Sequence, residues 1–109
     1  MTSLTDHEFS KRADNFMAEL LTALDEIDPD DLDCMLAMGV LTMEFADGTK
    51  AIMNRQTAAH QIWLAYGATA WHFEFDPETR NWSDTKDRGD LRSVLAATIG
   101  AKLGHTVTL

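Results

Sequence analysis

The sequence predicts an α+β fold in which an N-terminal and a C-terminal helix pack on one face of a five- to six-stranded antiparallel sheet. Apolar residues recur at helical spacing near both ends of the chain and alternate with the two-residue period of strands from about residue 31 to residue 83. The links between these strands are far too short for parallel crossovers, which need a dozen or more residues. With 109 residues, the chain is expected to form a single domain over residues 1–109.

The first helix is predicted to begin at Thr5. Thr5 and Glu8 have the spacing of a capping box, and Leu4 and Phe9 have that of a hydrophobic staple. Pro29 ends the pattern after about 22 helical residues. The apolar positions of this helix are Phe9, Ala13, Phe16, Met17, Leu20, Leu24 and Ile27.

The middle of the chain is predicted to form the sheet. Asp47-Gly48 is its strongest hairpin signal, because this dipeptide favours the tight turn between paired strands. Strands are expected from about Asp31, at 40–45, 49–54, 60–66 and 70–75, and around Trp82. Asp90 then opens the second helix, and Gly104 suits its C-terminal cap. The apolar stripe of this helix comprises Leu91, Val94, Leu95, Thr98, Ile99 and Leu103.

The charge of the chain is unevenly distributed. Eighteen acids and nine bases give a net charge of −9, and ten of the acids lie within residues 1–33. This region repels nucleic acids and anionic membranes and favours cations or a basic protein surface. Neither a transmembrane stretch nor a signal-peptide pattern is visible, so a cytoplasmic protein is expected. The only cysteine, Cys34, excludes an internal disulfide; we interpret it as a small apolar core residue rather than a nucleophile or metal ligand.

Six carboxylates fall within the nine positions from 25 to 33, and we call this set the acidic ridge: Asp25, Glu26, Asp28, Asp30, Asp31 and Asp33. On the predicted helix, His7 and Asp14 align with Asp25 along one edge, and Glu8 and Glu19 align with Glu26 along the other. Hard cations prefer such oxygen ligands, although the spacing is not that of an EF-hand. The alternative is a solvated face that keeps the chain soluble and protects an edge strand. Mutual repulsion between these acids lowers the stability of the fold, and this cost favours the interpretation that the acids have a function.

A second candidate site lies on the strand that begins at His60. Ile62 and Leu64 share one face of this strand, so Trp63 stands on the open face of the sheet if the aliphatic face is core. An exposed Trp flanked by amide side chains is typical of a binding hot spot for a protein partner. The alternative is that Trp63 is core and the register is shifted by one residue. The chain contains no catalytic-triad, phosphate-loop or histidine metal-binding spacing.

Several segments resemble bacterial members of the frataxin family. They are Asp31-Leu32-Asp33-Cys34, Gly39-Val40-Leu41-Thr42, Asn54-Arg55-Gln56, Gln61-Ile62-Trp63-Leu64, Trp71-His72-Phe73 and Asn81-Trp82, in the family's order. The resemblance implies an α-β sandwich, weak iron binding at the acidic ridge and a role in iron–sulfur cluster assembly. It also implies contacts with the cysteine desulfurase and the scaffold protein, as an iron-dependent regulator or an iron donor.

Transferred residue by residue, the resemblance assigns metal binding to the acidic ridge and partner contacts to Asn54, Gln56, Gln61 and Trp63. Glu19 and His7 are further candidate ligands, and Glu19 stands in for acids that some relatives carry where this chain has Leu21, Thr22 and Ala23. Iron is the expected cofactor, with no organic one, and the chain is expected to be a monomer that iron can assemble into oligomers. The alternative is ferroxidase or iron-storage activity, but a ferroxidase centre normally needs an enclosed carboxylate and histidine site.

Overall fold

The structure is a computed structural model that describes residues 5–109. Helix α1 spans Asp6–Leu24 and helix α2 spans Leu91–Leu103. The strands between them are β1 (Leu32–Ala37), β2 (Val40–Phe45), β3 (Lys50–Gln56), β4 (Gln61–Tyr66), β5 (Thr69–Asp76) and β6 (Asn81–Asp84). All neighbouring strands pair antiparallel in the order in which they occur along the chain. The predicted α-β sandwich with a six-stranded sheet is confirmed.

Helix α1 begins as predicted and ends earlier than predicted. Thr5 accepts a hydrogen bond from the Glu8 backbone N–H at 3.1 Å and donates its hydroxyl to the Glu8 carboxylate at 3.0 Å. The predicted staple partner Leu4 lies outside the described residues. The last helical residue is Leu24 rather than Ile27, because acidic side chains oppose the negative end of the helix dipole. Ile27 packs against the core from the following turn instead.

The core lies between the two helices and one face of the sheet. Helix α1 contributes Phe9, Ala13, Met17, Leu20 and Leu24, and helix α2 contributes Leu91, Leu95 and Ile99. The inward side chains of the strands include Leu41, Met43, Phe45, Met53, Ile62, Leu64, Phe73 and Trp82. Removing this much apolar surface from water supplies the main driving force for folding. An ion pair between Lys102 and Asp47 joins the end of α2 to the β2–β3 turn.

The strand register confirms which face of the sheet is open. Ile62 and Leu64 are fully buried, whereas Trp63 lies opposite Asn54 on one side and His72 on the other. The alternative in which Trp63 is core is therefore wrong. Both helices pack on the opposite face, so no part of residues 5–109 covers this row of side chains.

Several predicted strand boundaries are wrong by one or two residues: β3 is Lys50–Gln56 rather than 49–54, and β5 is Thr69–Asp76 rather than 70–75. Two further differences change where a side chain lies. Asp31 lies in the turn before β1, where its backbone N–H donates to the Asp28 carbonyl at 2.8 Å. His60 adopts a left-handed conformation at the end of the short 3-10 turn Thr57–Ala59, and β4 begins one residue later. The His60 ring stacks on Phe9 at a centroid distance of 5.1 Å, which turns it towards α1. No helix in the range 5–109 is long and apolar enough to cross a membrane.

Candidate metal centre and partner patch

The acidic ridge is formed by a tight turn between α1 and β1. The Asp28 carbonyl accepts hydrogen bonds from the backbone N–H groups of Asp31 at 2.8 Å and Leu32 at 3.0 Å, and one Asp28 carboxylate oxygen accepts from the Asp30 N–H at 3.0 Å. These local bonds are typical of turns built by aspartate. All six ridge side chains are exposed. The turn therefore presents its carboxylates to solvent and uses few of their oxygen atoms internally.

Two ridge carboxylates, Asp25 at the end of α1 and Asp33 in β1, act on the thiol of Cys34. Cys34 is half-buried and packs against the core. Burial, and then the negative charges of Asp25 and Asp33, raise the pKa of the Cys34 thiol to about 11. Both carboxylates therefore act on the same small region, although they are eight residues apart in the chain. A thiol that stays protonated is neither a ready nucleophile nor a ready metal ligand, in agreement with its predicted role in the core.

The ridge is an open surface rather than a preformed cage. In the described part of the chain, no three His, Cys, Asp or Glu side chains are arranged to hold one metal ion. Exposed carboxylates of this kind attract hard cations through their summed charge, and bound water completes the coordination. Metal binding by this surface therefore requires the side chains to rearrange around the ion, which is consistent with the expected low affinity.

The register of β1 and β2 adds a carboxylate that the sequence analysis missed. Asp33 lies directly opposite Glu44, so their side chains emerge from neighbouring positions on the open face. The two-residue turn Met38-Gly39 sets this register. Both residues have positive φ, at 53° and 78°, which is the conformation of the commonest tight hairpin. Met-Gly is an unusual dipeptide for this turn, so the pattern of the sequence did not reveal the pairing.

The remaining predicted metal ligands lie away from the ridge. Glu19 accepts a hydrogen bond from Arg92 of α2 at 3.2 Å. His7 is exposed in the first turn of α1, about 27 Å along the helix axis from Asp25. Asp14, which was predicted to align with Asp25 along one edge of the helix, is paired with Arg55 of β3. The structure therefore places Glu44 beside Asp33 of the ridge, keeps His7 in the first turn of α1 and pairs Glu19 with Arg92.

The four predicted partner residues are neighbours on the open face, and we call Asn54, Gln56, Gln61 and Trp63 the partner patch. Trp63 donates its indole N–H to the Gln61 side-chain oxygen at 2.7 Å and stacks on His72 at a centroid distance of 4.3 Å. Gln61 in turn donates to Glu74 at 3.2 Å and lies opposite Gln56. The indole is thus held in one orientation before any partner binds, which reduces the entropy cost of association.

Exposed apolar side chains connect the partner patch with the ridge. Met35 is 66% exposed, Ile52 is 41% exposed and Val40 is 37% exposed, and all three belong to the open face. Met35 follows Asp33 on the same side of β1, and Val40 lies opposite Asn54. Strand geometry places Asp33 and Trp63 about 20 Å apart on this face. One protein partner of ordinary interface size can therefore contact both regions.

Comparison with known proteins gives consistent matches over nearly the whole chain. The family model for a frataxin-like domain matches residues 2–105. The iron-sulfur cluster assembly protein CyaY of Thioalkalivibrio sulfidiphilus is 38% identical over 107 residues, which are 97% of this chain and 100% of that protein. Frataxin from Psychromonas ingrahamii has a TM-score of 0.87 at 30% identity, covering 96% of this chain and 97% of that one. Trimeric frataxin from Saccharomyces cerevisiae, complexed with ferrous iron, shares the fold with a TM-score of 0.73 at 24% identity, covering 95% of this chain and 90% of that one.

Proposed function

The chain belongs to the frataxin family, and from that premise we propose that it is an iron-binding protein of iron–sulfur cluster assembly. It acts on the complex of cysteine desulfurase and scaffold protein as an iron-dependent regulator, and it can also pass iron to that complex. The observation that carries the proposal is the acidic ridge, where six exposed carboxylates follow one another from the end of α1 into β1. The name of the curated relative and the ferrous complex of the yeast protein support it.

The ridge supplies the iron-binding step. Its oxygen ligands suit Fe(II) and Fe(III), and their exposure keeps the ion accessible to water and to a partner's ligands. Asp25 and Asp33 are the first ligands we assign, because the negative charges of both carboxylates act on Cys34, so they lie near one another. A weakly held ion can leave quickly, which suits a protein that senses or delivers iron rather than stores it.

The partner-binding step combines charge with an aromatic anchor. The ridge attracts a basic surface of the desulfurase, and this attraction raises the rate of encounter. The partner patch then supplies directional contacts through Trp63 and its amide neighbours. Iron bound at the ridge changes the charge that the partner meets, so metal binding and partner binding are coupled through the same carboxylates.

The arrangement favours binding over ferroxidase or storage activity. The ridge carboxylates lie at the surface, whereas a ferroxidase centre needs ligands that enclose iron and control access of oxygen. Oxygen consumption at low iron concentration, compared with iron alone, distinguishes the two activities. A rate above that of free iron would favour the enzyme.

The decisive experiment compares two variants of equal charge change. Asp25→Asn with Asp33→Asn removes two charges from the ridge, and Glu78→Gln with Asp87→Asn removes two exposed charges elsewhere. Each protein is used to capture purified desulfurase and scaffold with and without Fe(II), at low and high salt. We expect the ridge variant alone to lose iron-induced NMR broadening at residues 25–33 and to lose the effect of iron on capture. The proposal would be overturned if the parent protein captured the desulfurase and scaffold equally well at low and high salt and with and without Fe(II).

A further inference from the structure

An open groove lies on the opposite side of the molecule from the sheet's open face, between α1 and the β5–β6 turn. It has a volume of about 550 Å³, in the range of small-molecule sites. Lys11 and Arg12 reach it from α1, and Arg80 reaches it from the β5–β6 turn. Asn15 adds an amide, and Phe75 and Trp82 form part of the apolar floor. Neither the acidic ridge nor the partner patch contributes to this groove.

The cations of the groove form no ion pair with a carboxylate of the described residues. The chain contains nine Lys and Arg residues and eighteen acids. In the described residues, four of the nine form ion pairs: Arg55, Arg88, Arg92 and Lys102. Within residues 5–109, Lys11, Arg12 and Arg80 form none, and they are three of the remaining five. In so acidic a chain, three cations that share one groove without a carboxylate partner constitute a concentrated positive site.

Two carboxylates, Glu8 and Glu19, also line the groove, and each has a hydrogen-bond partner. Glu8 accepts the Thr5 hydroxyl at 3.0 Å in the N-terminal cap of α1. Glu19 accepts from Arg92 at 3.2 Å and so links α1 to α2. Arg92 offsets the charge of Glu19, whereas the Thr5 hydroxyl leaves the charge of Glu8 in place. The three cations of the groove therefore stand against one uncompensated carboxylate, and the groove keeps a net positive charge for a ligand.

Arg12 is oriented before any ligand binds. Its guanidinium group lies over the Phe75 ring at 4.2 Å from the centroid. Its Nε atom is buried and has no hydrogen-bond partner in the described part of the chain. A buried donor without an acceptor is costly, and a small shift of the side chain towards a bound anion would relieve that cost. The guanidinium fork matches the geometry of carboxylate and phosphate oxygens.

We propose that this groove binds a small multivalent oxyanion, either a phosphate ester or a polycarboxylate. Lys11, Arg12 and Arg80 neutralise its charge, and Asn15 donates a hydrogen bond from its amide. The size of the groove favours a small ligand. A long acidic polymer would extend beyond these cations onto a protein of net charge −9 and be repelled.

The test is an NMR titration of metal-free full-length protein with pyrophosphate and, separately, with citrate. Acetate at matched ionic strength serves as the reference. We expect saturable shifts at residues 11–16 and 75–82 with a multivalent anion and none with acetate. Pyrophosphate binding more tightly than citrate assigns the phosphate class, and the reverse assigns the polycarboxylate class.

Matched variants locate the site. Lys11→Gln with Arg80→Gln should weaken binding at least tenfold. Lys50→Gln with Lys86→Gln removes two exposed cations that lie outside the groove, and it should change binding less than twofold. Arg12→Lys keeps the charge but loses the fork and should also weaken binding. Equal losses in both double variants would overturn the proposal by showing general electrostatic attraction. It would also be overturned if polyglutamate shifted these residues while neither small anion did.

Discussion

At the scale of single residues, two of the three tryptophans of the sheet, Trp63 and Trp82, have opposite environments. Trp82 is 2% exposed and contacts the rings of Phe9, Phe16 and Phe75. Trp63 is half-buried on the open face, where it contacts Gln61 and His72. The same side chain thus serves packing in one strand and is available for recognition in another.

Replacing each tryptophan by alanine should separate these roles. Trp82→Ala empties a core site and should cost about 3–5 kcal/mol of unfolding free energy. Trp63→Ala should cost about 1 kcal/mol, yet weaken association with the desulfurase–scaffold complex about thirtyfold or more, the effect of losing a hot spot worth 2 kcal/mol. Urea melts and binding titrations measure the two effects. If Trp63→Ala unfolds the protein and Trp82→Ala does not, the proposed binding face is wrong.

Met38 holds a strained conformation in the β1–β2 turn. It is 97% exposed and has a φ of 53°, which non-glycine residues rarely adopt except for Asn and Asp. Met38→Asn should therefore raise the unfolding free energy by about 1 kcal/mol, because asparagine tolerates this region. Met38→Val, which is β-branched, should lower it. Urea melts that show both variants equal to the parent would contradict this account of the turn.

At the scale of elements, the loop between β6 and α2 is organised by one buried carboxylate. Asp84 is 3% exposed and accepts hydrogen bonds from the Lys86 and Arg88 backbones and from the Arg88 side chain. Arg88 also donates to the Ala70 carbonyl of β5 at 3.0 Å. This pair therefore fixes the path of the chain into α2.

The Asp84–Arg88 pair should make stability depend on pH in the acid range. Hydrogen bonds from Arg88 hold the pKa of Asp84 below its ordinary value of 3.8, against the opposite effect of burial. The stability from this pair is therefore complete above that pH and is lost as the pH falls through the lowered pKa. Asp84→Asn should cost about 2–3 kcal/mol at pH 7 and less at pH 3. Asp87→Asn, in the same loop but exposed, is the control; a cost for Asp84→Asn that is the same at both pH values would contradict the linkage.

Prediction of the elements from sequence succeeded where apolar spacing or a strong turn signal decided the structure. The alternation around Leu41 and Met43, together with the Asp47-Gly48 turn signal, correctly predicted the hairpin formed by β2 and β3. Ile27 has the spacing of the apolar positions of α1 and was therefore predicted to be helical. This prediction was wrong, because Ile27 reaches the core from a turn after α1 has ended. The pairing of Asp33 with Glu44 depends on the unusual Met38 turn, so the local pattern did not reveal it.

At the scale of the whole molecule, charge is arranged in separate regions. The acidic ridge lies at one end of α1, and the cationic groove gathers residues 11 and 12 with residue 80, which is far from them in sequence. The ridge could be predicted because its six members lie within nine positions of the chain. The groove could not, because the fold alone brings Arg80 to α1.

Neutralising the ridge should stabilise the protein. Replacing Asp25, Asp28, Asp31 and Asp33 by Asn and Glu26 by Gln removes mutual repulsion and unfavourable charge at the C-terminus of α1. Asn at position 28 can keep the turn hydrogen bond. We expect Tm to rise by about 4 °C or more at low salt, since 1 kcal/mol shifts a domain of this size by about 4–8 °C. The rise should shrink in high salt because screening already weakens the repulsion; a variant that melts below the parent at low salt would refute this.

The order of the strands also bears on how the chain folds. Each strand pairs with the next one in sequence across a connection of two to four residues, so every step of sheet growth closes a short loop at little entropic cost. Hairpins of this kind form within microseconds in isolation. The distant partners are the two helices, which come from opposite ends of the chain to the same face. During synthesis the sheet can therefore grow in the order in which its strands leave the ribosome, and α2 completes the core last.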